Sequence, residues 1–328
     1  MIFERGAVLM TAKVLFFGDP GIDDSIAIMY GLLNPEIEIV GIVPSYGNVK
    51  QEQATQNVAY LLSLAGKTDI PIIAGAKGPL SGEVTAYYPE IHGEEGLGPI
   101  QPPDTLPTAE LLNFDEIFKI IEKYENEIYI VDVGRSTSLA IAFILGGEVM
   151  EKVKGFYIMG GAFFVPGNVT AEAEANFYGD PIASNLICER AHNLAIHPLN
   201  VTIQAILTSE IVDQIVRQGT NNPYRNLIRP IFDYYYEFYK KSMPGIKGTP
   251  LHDVVALSAI VNPSIMQYAR RRVRIEMSGI LKGVSVADFR ANPDKEPVET
   301  LDRIALRIDY EKFITDFIQV MTNGRVAR

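Results

Sequence analysis

The stretch VLFFGDPGIDDSIAI, residues 14–28, crowds Asp19, Asp23 and Asp24 directly behind an apolar run. Like charges this close repel, and a packed fold carries them only with a compensating cation or with solvent. Hard divalent cations such as Ca²⁺ take several oxygen ligands, which Asp19 and Asp24 begin to supply. Neighbours on a helix differ by about 100° in direction. With Asp24 turned to a cation beside Asp19, Asp23 is therefore expected to point elsewhere, towards a ligand hydroxyl. The glycines make no dinucleotide fingerprint, since G-x-G-x-x-G is absent, and the acids do not fall on the alternate positions of an EF-hand loop. The chain supplies its own control. GDP recurs at 179–181 with no further acids behind it, and there Asp180 reads as an N-cap and Pro181 as the first helical residue.

Other stretches carry groups that could work with such a cluster, and each has a structural reading of its own. In LHDVVALSAI, residues 251–260, His252 and Asp253 open a helix, where an acid is favoured electrostatically whether or not it binds anything. In IHGEEGLG, residues 91–98, His92 stands among glycines, either a solvated loop histidine or a group of a site. In GNVTAEAEAN, residues 167–176, Asn168, Glu174 and Asn176 are either caps in a surface loop or polar contacts for a ligand. The single cysteine, Cys188, lies in an apolar-periodic run and reads as a buried structural thiol. One cysteine allows neither an intrachain disulfide nor a thiolate metal cluster.

The elements that would place these groups alternate along the chain. KVLFFG (13–18), IEIVGIVPS (37–45), PIIAG (71–75), IYIVDVG (128–134) and FYIMGG (156–161) have strand length and composition, with amphipathic segments between them. In KQEQATQNVAYLLSLAG, for example, Ala54, Val58, Leu61 and Ala65 form one apolar face. This rhythm predicts an α/β fold with a mostly parallel central sheet flanked by helices. Right-handed crossovers gather the strand C-terminal ends along one edge, and ligands sit just outside them. After residue 200 come a tyrosine-rich helix (YRNLIRPIFDYYYEFYKKSM, 224–243), the loop PGIKGTPLHD, and a helix from about residue 253. RRVRIEMSG, GVSVADF and RIALRIDY then read as strands that complete or flank the sheet. The loop from Ser81 to Thr108 is long enough to expect a functional role. No linker composition divides the chain, so a single domain over residues 1–328 is expected. Residues 1–12 read as an N-terminal extension, disordered or mis-annotated, with Met10 as an alternative start.

The formal net charge of −11 argues against a phosphate-tracking nucleic-acid surface and against a polybasic membrane patch. SLAIAFILGG, the most apolar stretch, is too short to span a bilayer, and the N-terminus has no secretory h-region. A cytoplasmic protein with small-molecule ligands is expected.

In combination the motifs are specific. DPGIDD after a first strand, YGN after the second, IHGEEG, MGG followed by GNVTAEAEAN, LHD before a helix, VADFR and RIDYEKF occur in one order. That order resembles the inosine-uridine nucleoside hydrolase family, from about Lys13 to Phe317. The resemblance implies a single α/β domain with its active site at the strand C-terminal ends. It implies hydrolysis of the N-glycosidic bond of ribonucleosides, purine and/or pyrimidine, to ribose and free base. One Ca²⁺ would be held by Asp19, Asp24, Asp253 and the Val133 carbonyl. Asp23, Asn48, Asn168, Glu174 and Asn176 would contact the ribose, and Tyr235 and Tyr239 would line the base side unless they form only a core face. Asp19 would take a proton from a water acidified by the cation, and His252 or His92 would protonate the leaving base. The ring of oxygens would stabilise the oxocarbenium-like ribosyl group as the base departs. A homodimer or homotetramer is expected. The crowd of aspartates is then tolerable because a cation and ribose hydroxyls share it.

The chain departs from the family pattern at several positions. Phe17 and Gly18 stand where D-T precedes D-P-G, so a supporting carboxylate is missing, and Phe17→Asp is expected to tighten Ca²⁺ with little change in melting temperature. Val133 and Arg135 are unusual in VDVGRSTS, and Ala175 stands where an aromatic is typical, leaving the base or 5′ side roomier. The absence of tryptophan argues against the purine-specific subgroup. A non-catalytic or weakly active ribose- or nucleoside-binding protein on the same scaffold is the alternative. An aspartate-nucleophile Mg²⁺ phosphotransferase is weaker, because Phe17 occupies a position its D-x-D would need.

Overall fold

The computed structural model describes residues 11–103, 106, 110–291 and 297–324. The expected strands appear as β1 (Ala12–Gly18), β2 (Ile37–Pro44), β3 (Ile72–Ile73), β5 (Ile128–Asp132) and β6 (Gly155–Met159), with two further strands, β4 (Leu111–Leu112) and β7 (Leu194–His197), that the sequence reading did not include. A separate antiparallel pair joins β8 (Ile206–Thr208) to β9 (Gly248–Pro250). Next, β10 (Met266–Arg271) returns to the main sheet, while β11 (Val273–Ile275) and β12 (Ser285–Ala287) make a second small pair. Last, β13 (Asp302–Ile308) inserts between β7 and β10. The nine-stranded sheet has the order β10-β13-β7-β6-β5-β1-β2-β3-β4, and only its β10–β13 pairing is antiparallel. The single-domain, mostly parallel architecture is thus as expected.

Both faces of β1 are buried: Val14 and Phe16 belong to one core, Leu15 and Phe17 to the other, the pattern of an interior parallel strand. The helices Ile22–Leu33, His252–Val261 and Tyr310–Asn323 pack on the first face. Thr137–Gly146 and Pro181–Arg190 pack on the second. Asp180 caps the latter helix by accepting from the Ala183 N–H at 3.1 Å, with Pro181 in its first turn. The second GDP is structural. Cys188 is fully buried in the same helix.

Some elements differ from the sequence reading. LAIH is a strand, β7, and the run GTP inside the expected loop PGIKGTPLHD is β9. The expected N-terminal extension falls largely on residues 1–10, outside the described residues, while Ala12 already belongs to β1. Part of the Ser81–Thr108 loop, at 104, 105, 107 and 108, also lies outside them. Among the described residues no helix is long and apolar enough to cross a membrane.

Candidate active site

Strands β1, β2, β5 and β6 are neighbours at the middle of the sheet, and the loops after their C-terminal ends converge. Asp19 follows β1, and Asp23 and Asp24 lie in the first turn of Ile22–Leu33. Asp24 is both helix cap and site group. Its Oδ1 accepts from the Asp19 N–H at 2.9 Å, and its Oδ2 accepts from the Gly21 N–H at 3.2 Å and from Asn48 Nδ2 at 3.0 Å. Asp19 Oδ2 accepts from the Asn48 N–H at 2.7 Å, while its Oδ1 is buried with no partner. Gly47 allows this approach, because a Cβ there would stand 1.6 Å from Asp19 Oδ2.

One carboxylate oxygen each of Asp23, Asp24 and Asp253 lies within 4.8 Å of the others. Asp23 lines the ligand cavity, whereas both oxygens of Asp24 accept from Asp19, Gly21 and Asn48. Asp19 stands outside this trio, but its charge is among those raising the pKa of Asp24 and of Asp253. Oxygens coordinating one Ca²⁺ at about 2.4 Å are at most about 4.8 Å apart, so the trio fits such an ion. The buried, unpartnered Oδ1 atoms of Asp19 and Asp23 fit it as well. Burial first, then mutual repulsion, pushes Asp24 and Asp253 well above the usual carboxylate range. Burial raises Asp19 to about 6, with the Arg135 charge opposing it. A cation between them would favour their joint ionisation.

Around the acids lies a cavity of about 520 Å³, which every sequence-predicted site residue except Asp19 and Asp24 lines. Glu174 caps the short helix Ala175–Gly179, accepting at Oε1 from the Asn176 N–H (2.8 Å) and at Oε2 from the Gly161 and Phe177 N–H groups (2.9 and 3.1 Å). Burial nonetheless lifts it to about 7. Asn176 Nδ2 donates to the Val133 carbonyl at 2.8 Å, and Asn168 Oδ1 accepts from the Ala175 N–H at 2.9 Å. The capping reading holds for Glu174 and Asn168, not for Asn176, and all three line the cavity.

The opposite wall is aromatic. Tyr235, Phe238, Tyr239 and Ser242 recur at helical spacing on Arg225–Ser242 and face the cavity. A hydrogen-bonded chain runs across this wall. Thr202 Oγ1 is 2.8 Å from His252 Nδ1, and His252 Nε2 is 3.0 Å from the Tyr239 hydroxyl. The Tyr239 and Tyr235 hydroxyls are 3.4 Å apart, and Tyr235 donates to Asp23 Oδ2 at 3.3 Å. Burial depresses His252 to about 4 and also lowers His92, so both rings are neutral near pH 7. His92 Nδ1 accepts from the Ile22 N–H at 3.1 Å, which leaves the ring proton on Nε2.

Tyr88, Phe238, Met159 and Thr202 are site contacts that sequence reasoning missed. The i, i+3, i+4 spacing of Tyr235, Phe238 and Tyr239 was the available signal for Phe238. Nothing local marks Thr202. Asp132, at the end of β5, was also passed over: it is buried, its Oδ2 has no partner, and burial raises it to about 7.

The family model for the inosine-uridine preferring nucleoside hydrolase matches residues 14–315. The inosine-uridine preferring nucleoside hydrolase of Crithidia fasciculata is 34% identical over 314 residues, covering 93% of this chain and 95% of that protein. Uridine nucleosidase 1 of Arabidopsis thaliana is 34% identical over 277 residues, 84% of this chain and 82% of the relative. Among solved structures, a plant nucleoside hydrolase superposes with a TM-score of 0.88 at 30% identity, covering 95% of this chain and 99% of its own. With motif order, sheet topology and pocket in agreement, the chain belongs to the inosine-uridine preferring nucleoside hydrolase family and is a nucleoside N-ribohydrolase.

Proposed function

We propose that this chain hydrolyses ribonucleosides, uridine and inosine among them, to ribose and free base in a Ca²⁺-dependent reaction. The observation that carries the reading is the two-sided cavity, with unpartnered carboxylate oxygens on its floor and a tyrosine–histidine chain on its wall. Asp19, Asp24, Asp253 and the Val133 carbonyl would hold the ion, with Asp23 close enough to share it. The ion's chemistry is to acidify a water and to anchor ribose hydroxyls.

Asp19 would be the base, its buried Oδ1 having no hydrogen-bond partner to compete for the proton. Asp23, Asn168, Glu174 and Asn176 supply oxygens around the sugar, where positive charge develops as the glycosidic bond breaks. On the base side His252 is neutral, so it works as a relay partner rather than as a standing imidazolium. The leaving base would take its proton from the Tyr239 or Tyr235 hydroxyl, with His252 Nε2 behind Tyr239, and the proton that Asp19 receives from water would return to that chain to restore it. The names of relatives put uridine and inosine first for assay.

The reading also includes a cytoplasmic homo-oligomer. For the oligomer the support is an exposed aromatic: Phe164 is 76% exposed, packs on Phe289, and directly precedes the cavity-lining Val165. Light scattering checks it. The reaction itself is tested by following reducing sugar from uridine and inosine after chelation and after Ca²⁺ is restored. Ribose release that persists unchanged in chelator would overturn the metal-dependent reading.

A further inference from the structure

Arg135 acts on Asp19 through its charge but forms no ion pair with the acids assigned above, and it is buried to 6% exposure in the turn between β5 and Thr137–Gly146. Among the described residues no carboxylate forms an ion pair with it. Its Nη2 donates to two carbonyl oxygens, those of Gly47 and Ala86, each at 2.9 Å. The guanidinium carbon lies 5.4 Å from the Tyr46 ring centroid and 5.8 Å from that of Tyr88. A buried guanidinium is costly unless its surroundings satisfy it, and carbonyls with aromatic faces do so here.

The two carbonyls belong to different parts of the site. Gly47 precedes Asn48, whose N–H holds Asp19. Ala86 lies in the long loop just before Tyr88, Ile91 and His92, all of which line the cavity. That loop is fixed at its start by the Leu80 N–H to Asp180 Oδ2 (2.8 Å), and beyond Ala86 by the Tyr88 N–H to the Asn48 carbonyl (3.2 Å). Between those points the exposed Lys282–Glu83 pair is the kind of contact that contributes little.

We propose that Arg135 is a positioning residue for nucleoside binding, fastening the Ala86–His92 stretch to the frame that carries Asp19 and Asn48. It rests on the ribonucleoside reading for its substrate. A lysine keeps the charge but has no flat guanidinium to lie against the Tyr46 and Tyr88 rings while one nitrogen donates to both carbonyls. Loosening a wall that contacts the substrate equally in the ground and transition states raises KM and leaves kcat nearly unchanged.

The test compares wild type with Arg135→Lys and Gly179→Ala by hydrogen exchange of the 79–92 segment, melting temperature, and uridine kinetics with Ca²⁺ present. Gly179→Ala leaves the arginine in place but crowds it, because the new Cβ would stand 2.4 Å from Arg135 Cδ and 2.7 Å from Nε. Both variants are expected to lose protection in this segment while the sheet keeps its own. KM should rise about tenfold, the size expected for one charge-assisted hydrogen bond, with kcat within about threefold. Unchanged loop exchange and KM in both variants would overturn the proposal, as would a kcat loss as large as the KM rise. If no nucleoside is cleaved even by wild type, the functional reading fails, and loop exchange still decides whether Arg135 is the fastener.

Discussion

Asp24 shows how one side chain serves fold and chemistry together, since the carboxylate that closes the first turn of a helix also faces Asp23 and Asp253. Removing a ligand oxygen from so small a shell should be decisive: Asp19→Ala or Asp253→Ala is expected to lose bound Ca²⁺ and nearly all activity. Elemental analysis checks this, and full occupancy in either variant would remove that residue from the ligand set. On the other wall, Tyr239→Phe breaks the chain between His252 and Tyr235 while keeping the ring. It should slow uridine or inosine cleavage by about 10²- to 10⁴-fold, yet nearly spare p-nitrophenyl riboside, whose leaving group needs no proton. Equal losses on both substrates would mean that the hydroxyl holds the sugar. At this scale the sequence was legible wherever residue type and motif order coincide. Asp19, Asp24, Glu174 and His252 could be named because a carboxylate or imidazole in a fixed motif has few uses. Thr202 and Arg135 could not, because their roles come from partners distant in sequence, His252 and Ala86.

Elements explain what the motif departures do. Phe17 is 1% exposed in the core beside Leu15 and Val43, and it stands directly across from Asp132 in the β1–β5 register. The sequence predicts a missing supporting carboxylate at Phe17, and with it tighter Ca²⁺ and little change in melting temperature for Phe17→Asp. With Asp132 already buried at the neighbouring strand end, the substitution would instead create a buried pair of like charges and remove an aromatic from the core. It is expected to cost several kcal/mol of stability at neutral pH. Asp132→Asn should recover part of that loss in the double variant, and a melting curve of each checks the coupling. The β-α rhythm was readable because apolar runs such as KVLFF, buried on both faces, look alike in any parallel sheet. LAIH was not, since three apolar residues and a histidine after a turn carry too little pattern to distinguish strand from helix end. GTP in β9 was hidden by its own composition, as glycine and proline read as loop while its partner β8 lies far back in the chain.

At the scale of the whole molecule, the buried acids and histidines pull stability in opposite directions with pH. Asp19, Asp132 and Glu174 have folded pKa values of about 6, 7 and 7, above their ordinary values of 3.8, 3.8 and 4.5. Over the interval between those values the folded chain holds protons that the unfolded chain releases. Their contribution is therefore fully present below about pH 4 and is lost as pH rises through 6 to 7. His197 and His252, held neutral at about 3 and about 4 against an ordinary 6.5, act oppositely. The stability from keeping them uncharged is present above pH 6.5 and is lost as pH falls towards their folded values. Without a divalent ion these shifts together make the fold most stable near pH 4 and weaken it as pH rises through 6 to 7. An ion bound by ionised carboxylates opposes that weakening, stabilising by about 2.7 kcal/mol at a hundred times its dissociation constant. The difference in melting temperature between saturating Ca²⁺ and chelator is thus expected to grow steadily from pH 5 to pH 8. Differential scanning calorimetry across that range measures it directly. A difference that shrank with pH would mean that protonated acids, not ionised ones, form the floor of this cavity, and Asp19 could then be neither ligand nor base.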